Sequence, residues 1–299
     1  IANGFEGEKR AQVLGTLSRA GKALCIAGTH GKTTTSTMTA HLLHQSHVGC
    51  NAFIGGISNN YGTNYILSDS EYIVLEADEF DRSFHWLTPF AAVITATDAD
   101  HLDIYGTKEA YLESFRIFTS LIQNDGFLIL HENLEMNADV QEGVTIFSYG
   151  RDRGDFHAEN IRIGNGDICF DLVSPMGNIA DVQLGVPVSI NIENGIAAMA
   201  LAQLAGLDEK EIRSGMHSFN GVDLRFDFKI KNDHITFLSD YAHHPQEIEQ
   251  CVRSIRELYQ DKKITAIFQP HLYTRTRDFY QEFAKSLSLL DEVVLLDIY

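Results

Sequence analysis

Short apolar runs, each about the length of a strand, recur along the chain between stretches with helical spacing. KALCIA (22–27) is the first and reads as a buried strand. YIVLEAD (72–78), AAVITAT (91–97) and GFLIL (126–130) follow, and the first two end in polar residues. GKTTTSTMTAHLLHQ (31–45) reads as a helix despite its β-branched threonines, and KEAYLESFRIFTSLI (108–122) has clear helical periodicity. Strands alternating with helices imply a parallel sheet with crossovers. Polar residues just after such strands fall at the carboxyl edge, where ligands bind. Glu76, Asp78, Asp98, Asp100 and His101 occupy that position.

The pattern changes between residues 155 and 190, where AENIRIGNGDICFDLV alternates apolar and polar around a Gly-Asn-Gly turn. That predicts a β-rich insertion with hairpins. NIENGIAAMALAQLAG (191–206) predicts a helix with a glycine stop. A second α/β pattern starts after about residue 222: strand HITFLSD, helix PQEIEQCVRSIRELY, strand KITAIFQ, helix RDFYQEFAKSLSLL, strand EVVLLDIY. It stops on a strand at Tyr299, so this second domain is expected to be cut short. Residues 1–20 read as a linker or helix, and the first residue, Ile1, suggests a fragment.

Composition narrows the function classes. A chain of 299 residues, 44% hydrophobic, is long enough for about two domains. No long apolar run predicts a membrane span, and no basic-then-apolar leader suggests export. The cysteines (Cys25, Cys50, Cys169, Cys251) are far apart and read as reduced thiols of a cytosolic protein. A net charge of −18 argues against wide nucleic-acid contact, so an anionic ligand must be held by local donors.

Such donors are present in CIAGTHGKTTTST (25–37). A strand leading into a helix through glycines aims backbone N–H groups at one spot, and the helix dipole adds positive potential. Gly28 and Gly31 permit close backbone approach, Lys32 supplies a charge for outer phosphates, and Thr33 offers a hydroxyl to Mg²⁺. The loop departs from the Walker A pattern, since only two residues separate its glycines.

Glu76, Asp78, Glu79 and Asp81 in LEADEFD crowd carboxylates at a strand end, which suits a cation site or is simply an acidic loop. TDADHLDIYG sets His101 among Asp98, Asp100 and Asp103, where metal-bridged phosphates would need it or where it is only a surface histidine. In SDYAHHPQE, His243 and His244 could bind metal, but adjacent rings diverge and a helix-capping turn before Pro245 is the expectation. Arg275 and Arg277 in FQPHLYTRTRD either grip a carboxylate or start a solvated helix.

Together GTHGKTTT, EADE, DHLDIYG, NIEN, DYAHHP and FQPHLYTRTRD resemble the Mur ligases of peptidoglycan synthesis, along essentially the whole chain. The short GxxGK loop is that family's own version. The resemblance implies an α/β protein: a central P-loop ATPase domain with a mostly parallel sheet and a β-rich insertion, then a truncated Rossmann-like domain. The implied boundaries are 1–20 as a linker from a missing UDP-binding domain, 21–222 as the ATP-binding domain, and 223–299 as the first part of the domain for the incoming amino acid.

Within the family the resemblance favours the branch that joins L-alanine to UDP-N-acetylmuramate in the bacterial cytoplasm, with ATP and Mg²⁺. ATP would phosphorylate the substrate carboxylate, and the amine would displace phosphate. By resemblance, Gly28, Thr29, His30, Gly31, Lys32, Thr33 and Thr34 form the phosphate loop, with Lys32 catalytic. Thr33, Glu76 and His101 are the metal ligands, Asn191 and Asn194 lie beside the adenine, and Asp240 lies on the ribose. Arg225 reaches the phosphates from the hinge, while Tyr241, His271 and Arg275 form the alanine pocket.

Leu224 and Leu272 stand where relatives often carry arginine, and the second leaves the alanine pocket one cation short. No lysine is placed to be the carbamylated residue of several sister ligases. The alternatives are the recycling ligase that attaches a tripeptide to the same sugar, for which a more basic stretch after EADEFD is expected, and a small-molecule kinase using the same loop.

Overall fold

A computed structural model describes residues 7–98, 102–164, 166–232 and 234–299. Helix α1 (Arg10–Ser18) precedes strand β1 (Lys22–Ala27) and helix α2 (Lys32–His44). Strands β2 (Asn51–Ser58), β3 (Thr63–Ile66) and β4 (Tyr72–Glu76) follow, then a 3₁₀ segment (Phe80–Trp86) and β5 (Ala91–Ile94). Helices α3 (Leu102–Tyr105) and α4 (Lys108–Ser120) lead to β6 (Phe127–His131) and β7 (Thr145–Tyr149). These strands form one sheet in the order β3-β2-β4-β1-β5-β6-β7, parallel except for β3.

The apolar runs are explained by helices on both faces of this sheet. Leu24, Ile26, Val74 and Val93 face one core with Met38 and Leu42 of α2. Ala23, Cys25, Leu75 and Ile94 face the other with Leu14, Phe115 and Phe118. Successive residues of a strand point to opposite faces, so a strand buried on both sides reads as continuously apolar. Thr35, Thr37 and Thr39 are buried in α2, and the hydroxyls of Thr37 and Thr39 are satisfied by donating to the carbonyls of Thr33 and Thr35, at 2.6 and 2.8 Å.

The predicted β-rich insertion is a three-stranded antiparallel sheet of β8 (His157–Gly164), β9 (Asp167–Val173) and β10 (Ile179–Gln183). Helix α5 (Ile190–Leu204) packs beside α2, and α6 (Glu209–Ser218) starts on an Asp208–Glu211 capping box. Beyond it come β11 (Asp227–Lys231), β12 (Thr236–Ser239), α7 (Pro245–Leu258), β13 (Thr265–Phe268), α8 (Tyr273–Leu287) and β14 (Glu292–Leu295).

Here the pairing refines the expectation. The strand in HITFLSD pairs antiparallel with β11 rather than with β13. Strands β13 and β14 pair in parallel, joined through α8, as a Rossmann-like crossover requires. The turn before Pro245 caps α7: His244 Nδ1 accepts from Gln246 N at 3.4 Å, and Glu247 Oε2 accepts from the N–H groups of His243 and His244. No described helix is long and apolar enough to cross a membrane.

Candidate functional site

The phosphate loop leaves the end of β1 and enters α2. Gly28 has φ +135° and Gly31 φ +81°, a region that side chains rarely adopt. A Cβ on Gly28 would lie 2.8 Å from Ala96 N, and one on Gly31 would lie 2.8 Å from Asn194 Oδ1. Thr29 N donates to Ala96 O at 3.0 Å, and the Thr29 hydroxyl donates to Asp98 O at 2.8 Å. The loop is therefore tied to the end of β5. Helix α2 begins with Gly31 as N-cap, no side-chain cap and no acidic residue in its first turn. Its first N–H groups lack partners within the helix, and its positive end is left for an anion. Thr34 lies in that first turn, and His30 is exposed, lining the cavity beside the loop.

Below the loop, Glu76 ends β4. Its Oε1 accepts from the Thr33 hydroxyl at 3.1 Å, and its Oε2 accepts from Gly55 N at 2.9 Å. Gly55 leaves room for this carboxylate, because a Cβ there would fall 2.5 Å from Glu76 Oε2 and push it aside. Thr33 and Glu76 thus present two oxygen donors side by side at the helix N-terminus, which fits Mg²⁺.

The four carboxylates of LEADEFD do not converge, which corrects the picture of one acidic cluster. Asp78 Oδ1 caps Phe80 N at 3.0 Å, Asp81 pairs with Lys9 at 3.6 Å, and Glu79 turns inward to Lys32 at 2.9 Å. Left-handed backbone at Asp81 and Arg82 turns the chain and separates them. Among the described residues no group of three or more His, Cys, Asp or Glu gathers as a metal site. His101 lies outside the described residues, as does Asp100.

Beside the loop is a cavity of about 510 Å³, lined by Gly31, Thr95, Asp98, His131, Tyr149 and Asn194 among others. That is within the range of small-ligand sites. Asn194 is at its wall, accepting from the Thr35 hydroxyl at 3.2 Å and donating to Asn191 Oδ1 at 3.1 Å. Asn191 sits behind it, donating to Val186 O at 3.1 Å. One asparagine faces the cavity and the other braces it.

The comparisons with known proteins agree with this geometry. The sequence model of the Mur ligase middle domain matches residues 26–202, and that of the Mur ligase, glutamate ligase domain matches residues 224–298. The chain belongs to the Mur ligase family.

It is 73% identical over 298 residues to the UDP-N-acetylmuramate–L-alanine ligase of Phocaeicola vulgatus, covering 99% of this chain and 65% of that protein. The enzyme of the same name from Parabacteroides distasonis is 59% identical, covering 100% of this chain and 65% of that protein. Among solved structures, the UDP-N-acetylmuramate–alanine ligase of Thermotoga maritima superposes with a TM-score of 0.80 at 28% identity, over 95% of this chain and 64% of that one. The chain spans about 65% of the length of the first two relatives.

In this Mur ligase chain residues 221–223 come to the loop through β2. Asp223 N donates to Ile57 O at 2.9 Å, and Asn59 N donates to Gly221 O at 3.0 Å. Val222 packs so close to Gly56 that a Cβ there would fall 2.6 Å from Val222 Cγ1 and 3.0 Å from Thr33 Cγ2. Arg225, three residues on, is exposed in a turn with left-handed Leu224 and Phe226. Asp240 holds that turn, its Oδ2 accepting from Phe226 N at 2.7 Å, and Tyr241 N donates to Leu224 O at 2.7 Å. Arg225, Asp240 and Tyr241 are therefore neighbours.

His271 and Arg275 lie at the β13–α8 junction. His271 stacks on Tyr299 with centroids 5.5 Å apart, and Arg275 is half-buried with no described hydrogen bond or ion pair. Arg277 is paired with its neighbour Asp278 at 2.8 Å. Leu224 and Leu272 have positive φ, 60° and 71°.

Several functional neighbours were not singled out from the sequence. Thr95, Gly55 and Gly56 shape the loop's surroundings but carry no ionisable chemistry. The glycine pair in NAFIGGIS was the available signal.

Proposed function

We propose that this chain carries the ATP site and the beginning of the amino-acid site of a ligase that joins L-alanine to the carboxylate of UDP-N-acetylmuramate. The observation that carries the proposal is the uncapped α2 N-terminus. It brings Lys32 and the Thr33–Glu76 oxygen pair together beside a nucleoside-sized cavity. The high-identity relatives named for this reaction support the choice of substrates.

In this reading residues 21–222 bind ATP and residues 223–299 begin the amino-acid unit. The loop N–H groups and Lys32 hold the outer phosphates. Mg²⁺, when bound, supplies charge neutralisation there; Thr33, Glu76 and His101 are the residues proposed to hold it. Asn194, braced by Asn191, faces the base, Asp240 takes the ribose, and Arg225 reaches the phosphates from the hinge. Tyr241, His271 and Arg275 receive the amino acid, with Arg275 gripping its carboxylate.

A carboxylate is a poor electrophile, so the γ-phosphoryl group is first transferred to its oxygen, leaving ADP. The amine nitrogen then forms a bond to the acyl carbon, the carbon–oxygen bond to phosphate breaks, and the amine's surplus proton passes to solvent. The protein's part is positioning and charge neutralisation. The test is phosphate release by the full-length protein with ATP and UDP-N-acetylmuramate. L-alanine, tripeptide and no acceptor are compared. Release and amide formation only with L-alanine is the expected result. Release only with tripeptide, or a stable phosphorylated product, overturns it.

A further inference from the structure

We infer that Glu79 is a positioning residue for the phosphate-loop lysine: it anchors the Lys32 ammonium so that the remaining N–H groups face the phosphates. The inference builds on the nucleotide reading above.

Lys32 and Glu79 form an ion pair at 2.9 Å, with side-chain exposures of 14% and 1%. Lys32 Nζ also donates to Gly28 O at 2.5 Å and, weakly, to Thr29 O at 3.4 Å. Separating the buried Glu79 carboxylate from the Lys32 ammonium breaks a charge-assisted contact and is costly. The neutral loop carbonyls carry no such penalty. An arriving phosphate therefore displaces Gly28 O and Thr29 O, while Glu79 keeps its hold. Lysine is a point charge on a flexible stem, and a fixed carboxylate behind it gives the charge a direction.

A second set of contacts builds the Glu79 position itself. Asp81 and Arg82 are consecutive non-glycine residues with φ of 52° and 55°. Such backbone persists only where the surroundings over-determine it, and it gathers at functional sites. Here Arg82 N donates to Glu79 O at 3.0 Å, and the Tyr105 hydroxyl donates to the same carbonyl at 2.5 Å. The Arg82 guanidinium lies 4.7 Å from the centre of the Tyr105 ring. Ser114 Oγ joins Tyr105 to His85, at 3.4 and 3.1 Å. Tyr105 belongs to the DHLDIYG stretch, so the two acidic motifs are bonded to each other through the backbone of Glu79.

The test uses the full-length enzyme and Glu79→Gln, which keeps the shape and removes the charge. Losing a negative charge beside Lys32 does not weaken attraction for ATP. What is lost is the aim of the lysine. The expected result is kcat down at least about tenfold, with KM for ATP unchanged or lower. Glu79→Asp, which keeps the charge one methylene short, is expected to recover part of kcat, and it serves if the glutamine variant fails to fold.

A second readout needs no nucleotide. Labelling of Lys32 by an amine-reactive reagent, followed by peptide mass spectrometry, is expected to be several-fold faster in Glu79→Gln than in wild type. That readout stands even if the ligase reading fails. Unchanged kcat, a raised KM with lowered Tm, or unchanged Lys32 labelling in a folded variant would each overturn the inference.

Discussion

The central sheet and the segment from β11 to β14 are both α/β, yet they hold their functional side chains differently. In the central sheet Lys32, Thr33, Glu76 and Asn194 are each held by named partners between two extensive cores. In the later segment Ile248, Val252 and Phe283 form a small separate cluster, while Leu258 of α7 and Phe226 pack into the central core. Tyr241 and His271 are exposed there, and Arg275 has no described partner. The loop proposed for the phosphates is preorganised by packing, which is what a site for charge neutralisation needs. Arg225 and His271, proposed for the hinge and the amino-acid pocket, lie instead beside positive-φ residues Leu224, Phe226 and Leu272.

The sharpest way to break this contrast is Lys32→Ala in the full-length enzyme. Turnover, measured as phosphate release, is expected to fall by at least about 10²–10³-fold, and Tm to fall with it because the buried Glu79 carboxylate loses its ion pair. Next, Phe115→Ala in the central core should cost about 3–5 kcal/mol in urea denaturation, while Phe283→Ala should cost only about 2–3 kcal/mol because its small cluster can relax. Equal losses would mean that the two cores are equivalent after all.

The third effect is pH-dependent. His41 on α2 is buried between Tyr61 OH at 2.8 Å and Ser218 Oγ at 2.9 Å. Burial, reinforced by nearby His44, lowers its pKa from 6.5 to about 4. Above pH 6.5 the imidazole is neutral in both states and its contribution is complete. Between 6.5 and about 4 only the unfolded state takes the proton, so stability falls as pH falls. The total loss is about 3 kcal/mol. Denaturation at pH 7 and at acid pH, compared with His41→Gln, isolates it: a variant with the wild-type slope would rule it out.

Gly55→Ala should lower turnover by about 10–100-fold by displacing Glu76, with the reduction read at saturating ATP. The smallest effect is Lys263→Ala, which removes the exposed pair with Glu292 at 2.5 Å. It should leave the urea midpoint of unfolding unchanged, because an exposed pair is screened by solvent.

Much of the fold was legible because strands buried on both faces are continuously apolar and α4 has one clear apolar stripe. β1, β4, β5 and β6, helices α2, α4, α5 and α7, and the hairpin region all lie where the pattern predicts them. Strands β2, β3, β7 and β11 and helices α3 and α6 were not singled out. NAFIGGIS carries two glycines, and TIFSY is short and half-exposed, so neither presents a strong run. The phosphate loop was legible as a local motif, since its glycines, lysine and hydroxyl are consecutive. The pairing of Lys32 with Glu79 was not, because it joins residues 47 apart in the chain.

By itself, then, the sequence determined the alternation of elements, the phosphate loop and the resemblance to the Mur ligases, because each is written in neighbouring residues. Tertiary structure alone decided which of four nearby carboxylates does what. Glu76 meets Thr33, Glu79 meets Lys32, Asp78 caps a turn and Asp81 faces outward to Lys9. It also decided that β12 pairs with β11 and that Val222 reaches Gly56. The physical reason is the same in each case. Side-chain direction at a strand end depends on backbone dihedrals and on which strand lies alongside, and neither is encoded by residue type at one position.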